Sequence, residues 1–126
     1  MMRTIGTIAL CAAFLACASP AEAARPPKAK LQIIIATKDE PKRGATLHCN
    51  PDGGTHPHPR AACSLLRKLG GDLDKIHVPA NTPCGQELKP YVVVIQGRWQ
   101  GKKVQWSKGY RNGCAMKAAA GKLLSS

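Results

Sequence analysis

The four cysteines at positions 49, 63, 84 and 114 constrain this chain more than any other feature, because an export signal precedes them. Arg3 gives a positive start, and Ile5–Cys17 is a stretch of small and aliphatic residues. Ala21-Glu22-Ala23 then has the small-x-small form that a signal peptidase reads, with Pro20 as a helix breaker before it. The apolar run is too short to span a bilayer, and no later segment resembles a stop-transfer sequence, so no membrane attachment is expected after cleavage. A lipoprotein signal ending at Cys17 fits poorly, since Phe14-Leu15-Ala16 departs from the usual Leu-x-small pattern. Residues 1–23 are therefore expected to be removed, taking Cys11 and Cys17 with them. An even set of four thiols in a secreted chain reads as two disulfides. Spacing leaves all the pairings open, and pairing neighbours in sequence would contribute roughly 3–4 kcal/mol per bridge in the chain-entropy picture.

The chain has 126 residues and 13.4 kDa, enough for one domain, here expected over 31–126 after a flexible tail at 24–30. Only 4% of residues are aromatic, so the core is aliphatic and small, the kind that covalent staples help. There are 19 Lys and Arg against 7 Asp and Glu, and losing Arg3 with Glu22 leaves the formal charge at +12. That excess raises nucleic acid, a membrane surface, anionic polymers and acidic proteins as partner classes.

Along the chain, Leu31–Thr37 is β-branched and bounded by a polar turn at Lys38–Gly44, which reads as a strand, with Ala45–Cys49 returning beside it. Asn50-Pro51-Asp52-Gly53-Gly54 is turn chemistry, and His56 and His58 alternate with prolines in a stiff turn. Pro59–Leu69 places Ala62, Leu65, Leu66 and Leu69 at helical spacing, with Gly70-Gly71 as the stop. Asp72–Pro90 has few regular signals and several breakers; loops of that length are functional or disordered, and Cys84 argues for order. Tyr91–Ile95 reads as a strand turning through Gln96–Gly101 into a half-buried strand at Lys103–Tyr110. After Asn112-Gly113, Cys114–Ala120 reads as a short helix. Trp99 and Trp106 read as hairpin and sheet packing. The pattern predicts an α+β fold with one antiparallel sheet, one main helix and one short helix.

No catalytic constellation stands out. There is no Gly-x-Ser-x-Gly elbow, no His-Glu-x-x-His and no phosphate-binding glycine loop. Assigning the cysteines to bridges removes a thiol nucleophile. A metal site at His48, Cys49, His56, His58 and Cys63 lacks the usual ligand spacing. The residues thus point to a non-enzymatic extracellular binding module with neither cofactor nor metal.

Leu47-His48-Cys49, Gly54-Thr55-His56-Pro57, Ala62-Cys63 and Gly70-Gly71-Asp72-Leu73 resemble the bacterial subtilisin-inhibitor family. So do Cys84, Pro90–Val94, Gly97-Arg98-Trp99-Gln100-Gly101 and Asn112–Met116, so the resemblance runs from Leu31 to about Gly121. It implies the pairing Cys49–Cys63 and Cys84–Cys114, a five-stranded antiparallel sheet with two helices, and homodimers through the sheet. It also implies inhibition of extracellular, subtilisin-like serine proteases by a substrate-like loop. Counting from Cys84 as relatives count puts the scissile bond between Gln86 and Glu87, with Thr82, Pro83, Cys84, Gly85, Leu88 and Lys89 as further loop contacts. Relatives commonly carry Met, Lys or Arg in place of Gln86, and Pro in place of Gly85. The competing class is a basic extracellular binding module on the same scaffold, with weak or no inhibition and without nucleic acid, since few aromatics are available to stack bases.

Overall fold

The computed structural model describes residues 27–124, so the expected export signal lies outside the described residues. Five strands, β1 (Ala29–Thr37), β2 (Arg43–Cys49), β3 (Gly53–Gly54), β4 (Tyr91–Trp99) and β5 (Lys102–Tyr110), form one antiparallel sheet in the order β3-β2-β1-β4-β5. The helices are α1 (Pro59–Leu69) and α2 (Gly113–Ala120), with 3₁₀ turns at Leu73–Lys75 and Gly121–Leu123. The expected α+β architecture is found, with the two bridges paired Cys49–Cys63 and Cys84–Cys114.

Alternation along the strands decides which face is covered. Ala29, Leu31, Ile33 and Ile35 of β1 point inward beside Leu47 and Cys49 of β2 and Val93, Ile95 and Trp99 of β4. Ala62, Cys63 and Leu66 of α1, Met116 and Ala120 of α2, and Leu123 and Leu124 close over this stripe. Pro59 starts α1 where a missing N–H costs nothing, and Gly70 ends it in the left-handed region. Gly71 N–H then donates to Leu66 O at 2.9 Å and Gly70 N–H to Arg67 O at 3.1 Å, a Schellman stop.

Several boundaries differ from the sequence reading. β1 begins at Ala29, which is 1% exposed, so Ala29 and Lys30 belong to the sheet rather than to a tail. β4 runs on through Gln96–Trp99, where a turn is expected, and only Gln100-Gly101 turn the chain. Gly97 permits this: a Cβ there would lie 2.1 Å from the Lys30 carbonyl oxygen on the neighbouring strand. The glycine marks a close approach of two backbones, not a bend. Trp99 is buried at 5% exposure against Gly71, whose φ is +79° and whose Cβ would collide with the indole. His56, expected in a turn, lies between β3 and α1 and is buried. Its Nδ1 accepts from His58 N–H at 2.9 Å, so Nε2 carries the hydrogen and donates to Leu123 O at 2.9 Å, pinning the C-terminal turn to the sheet.

Replacing Gly97 with alanine is expected to cost at least about 2 kcal/mol in urea unfolding, from strain and displacement of β1. Gly53→Ala, with open space around it, should stay within about 0.5 kcal/mol.

Candidate functional site

The irregular segment expected from the sequence runs from the Leu73–Lys75 turn to the start of β4. Asp72 caps that turn by accepting from Asp74 N–H at 3.0 Å, and buried Ile76 anchors the chain as it leaves the core. From His77 to Pro90 the chain is mostly exposed and makes no strand or helix. Its order comes from a few attachments near its second half. Cys84 is bridged to Cys114, the second residue of α2, with 5.7 Å between Cα atoms. Cys84 N–H donates to Thr82 O at 2.8 Å, and the Thr82 hydroxyl donates to Pro79 O, which folds the approach into a tight turn. At the far end Lys89 N–H donates to Arg111 O at 3.0 Å and the Thr37 hydroxyl to Pro90 O at 2.8 Å.

The expected site residues divide by exposure. Gln86, Glu87 and Leu88 face solvent, Leu88 at 71%. Thr82, Cys84 and Lys89 are half-buried, and Pro83 and Gly85 are exposed.

The residue that organises them is Asn112, which reads in the sequence only as part of a turn. It is 5% exposed and sits at the N-cap of α2. Its Oδ1 accepts from Ala115 N–H at 2.9 Å, and its Nδ2 donates to Glu87 O at 2.9 Å and Gly85 O at 3.3 Å. One buried amide thus holds the carbonyls on both sides of Gln86, which is itself exposed. An Asn before a short helix signals a cap; its reach of about 25 residues back along the chain has no signature in sequence.

The loop also has an electrostatic attachment. The Lys89 ammonium hydrogen-bonds Glu40 in the β1–β2 turn, which holds the Glu40 carboxyl below its ordinary range and raises Lys89. Both groups are exposed, so solvent screens the pair and its contribution is small. Away from the loop, Cys49, Asp52 and Cys63 cluster closely, but both sulfurs are consumed in the bridge and Asp52 pairs with Arg67.

Residues 29–112 match the subtilisin inhibitor-like family, and the chain belongs to it. It is 41% identical over 75 residues to plasminostreptin of Streptomyces antifibrinolyticus, across 59% of this chain and 69% of that protein. It is 43% identical over 83 residues to a subtilase-type protease inhibitor of Streptomyces fradiae, across 64% of this chain but only 58% of that protein. Subtilisin inhibitor-like protein 2 of Streptomyces rochei is 35% identical over 71% of this chain and 80% of its own length. Among solved structures, Streptomyces caespitosus sermetstatin, determined in complex with Bacillus licheniformis subtilisin, superposes with a TM-score of 0.63 at 26% identity. That superposition covers 78% of this chain and 98% of sermetstatin. The family is one of protease inhibitors rather than enzymes. No helix among the described residues is long and apolar enough to cross a membrane.

Two outcomes follow from the geometry. Asn112→Asp keeps the helix cap but loses the amide donor, so it should raise amide exchange at residues 85–89 with little change in melting temperature. Asn112→Ala should raise the same exchange and also lose about 1 kcal/mol of stability with the cap. Because Glu40 is depressed, its tether is complete above the ordinary carboxylate range and is lost as pH falls through the lowered value. Backbone relaxation near Lys89 should therefore rise only in acid, and Glu40→Gln should remove that pH dependence.

Proposed function

We propose that the protein, exported and cleaved after Ala23, inhibits extracellular serine proteases of the subtilisin type through the loop Thr82–Lys89. In this reading the scissile bond is Gln86–Glu87. The observation that carries it is the pairing of exposed Gln86 with two flanking carbonyls held by buried Asn112. A protease cleft takes an extended segment by adding it as a strand to its own backbone. The loop is already ordered at Cys84, Asn112 and Lys89, so association loses less conformational freedom and a contact of ordinary size can be tight. Gln86 would enter the primary specificity pocket, with Glu87 and Leu88 on the leaving side. The Cys84–Cys114 bridge and the Asn112 amide hold positions on either side of the bond, so the two new ends of a cut chain stay together and the bond can re-form before product escapes.

A neutral, polar Gln86 suits a broad pocket better than an acidic one that selects Lys or Arg. The relatives' names support the class: the Streptomyces fradiae protein is a subtilase-type protease inhibitor, and sermetstatin was solved bound to a subtilisin. For assembly we propose a homodimer through the apolar half of the outer sheet face, where Ile34, Ala36, Val92 and Val94 meet and Val92 is 50% exposed.

Titrating subtilisin with the mature protein should remove activity in proportion to inhibitor added. Mass spectrometry after long incubation should find one cut, at Gln86–Glu87. Gln86→Lys should shift potency at least tenfold toward trypsin-like enzymes. Full subtilisin activity in large inhibitor excess would refute the inhibitor reading, whereas inhibition with a cut elsewhere would move the site. Sedimentation equilibrium should give twice the mature mass, and Val92→Lys should return it to one.

A further inference from the structure

The sheet's outer face carries an arrangement that protease inhibition does not use. His48 of β2, Lys30 of β1, Arg98 of β4 and Lys103 of β5 stand directly opposite one another in a single rung across four strands. Neighbouring strands lie about 4.8 Å apart, so three basic side chains and an imidazole stem from backbone positions within about 15 Å. Like charges directly opposite on a sheet repel and destabilise it. Nothing among the described residues offsets this. None of Lys30, Arg98 and Lys103 has a carboxylate partner, and the Arg98 guanidinium reaches only the Gly101 carbonyl at 3.4 Å. Every acidic side chain of the described chain, at Asp39, Glu40, Asp52, Asp72, Asp74 and Glu87, lies outside the strands.

The next rung along the face is neutral and rich in hydrogen-bonding groups: Thr46, Gln32, Gln96 and Gln105. A shallow depression lies among Gln96, Arg98, Lys103 and Gln105 and joins the two rungs. The four Trp and Tyr side chains sit in register with the inward-facing rows, so among the described residues the His48 imidazole is the only ring these two rungs offer for a base to stack on.

We infer that the outer sheet face binds an anionic, hydroxyl-rich polymer, a poly(polyol phosphate) chain, with phosphates on the Lys30–Arg98–Lys103 rung and hydroxyls on the adjacent glutamines. Arginine and lysine side by side suit phosphate oxygens, and amide side chains both donate to and accept from hydroxyls. A second copy of this chain supplies no counter-charge, because its own outer face carries no acid. The rung lies at the opposite end of β4 from the candidate loop, about 23 Å along the strand from Tyr91 to Arg98, so a bound polymer leaves the loop free.

The test is fluorescence anisotropy of the disulfide-intact mature protein with short end-labelled poly(glycerol phosphate). Affinity should fall about 20-fold between about 50 and 200 mM salt, as three phosphate contacts on a flexible chain imply. The triple variant Lys30→Gln, Arg98→Gln, Lys103→Gln should weaken binding at least tenfold and remove that salt dependence, with a melting temperature no lower than that of the parent. A control with equal charge loss, Lys38→Gln, Lys68→Gln, Lys75→Gln, should stay within about twofold, since contacts rather than bulk charge set the slope. Equal losses in the two variants would overturn the site, leaving bulk charge alone. Equal or tighter binding of a single-stranded oligonucleotide of the same phosphate count would overturn the polyol assignment. So would a rung variant that changes the dimer fraction but not polymer affinity. Subtilisin titration of the rung variant reports separately on the loop, so failure of either reading leaves the other measurable.

Discussion

The Asn112 side chain is where the core and the exposed loop become one structure. Ordering a backbone residue costs about 1–2 kcal/mol, and the segment from His77 to Pro90 has no ladder or helix to offset that. It is held at points: buried Ile76 before it, the bridge at Cys84, the Asn112 amide at Gly85 and Glu87, and the Arg111 and Thr37 contacts at its end. A donor already fixed by capping a helix loses no further freedom when it also holds a loop carbonyl. That is why one amide can be effective here. The attachments concentrate after Cys84, so the half of the loop next to the candidate bond is ordered by the core.

Asn112 in turn depends on one-sided burial of the sheet. α2 stays in place because Met116 and Ala120 press into the stripe formed by β1 and β4, and the Leu123–Leu124 turn that follows is tied back by His56. The Cys84–Cys114 bridge enters the same helix two residues after the cap. Loop geometry is therefore inherited from aliphatic packing more than 10 residues away in sequence.

How much of this could be read from the chain varies by element, for physical reasons. α1 is legible to the residue because Pro59 and Gly70-Gly71 punctuate a clean apolar stripe, β1 because its residues are β-branched and a polar turn bounds them, and β5 because its alternation is strong. The end of β4 was misread because a Gly-x-x-x-Gly segment looks like a turn; only the partner strand reveals that Gly97 is there to let Lys30 approach. β3 has two residues, too few for any periodicity, and His56 depends on a carbonyl 67 positions later. The bridges' existence followed from cysteine parity, but their pairing came only by resemblance. The loop was visible as a long stretch without pattern, while the role of Asn112 was not, since no local rule couples a helix cap to carbonyls that far upstream.

The charge that seemed the broadest clue proves to be unevenly arranged. Arg67 and Lys89 are neutralised by Asp52 and Glu40, and both pairs lie off the sheet's outer face. Folding gathers Lys30, Arg98 and Lys103, far apart in sequence, into one rung that no local pattern announces. Selection for stability alone would place an acid among them, since a cross-strand pair of opposite sign adds up to about 1 kcal/mol. Three strands each contribute a cation at the same level instead, and none contributes an acid, although acidic residues occupy the turns and loops elsewhere. A fold that puts its Trp and Tyr residues on the buried side, its irregular loop at one end and its unpaired cations at the other divides its surface into separate regions. Under the two proposals, the loop would engage a protease while the far end of the sheet held a polyanion, with the strands of the sheet between them.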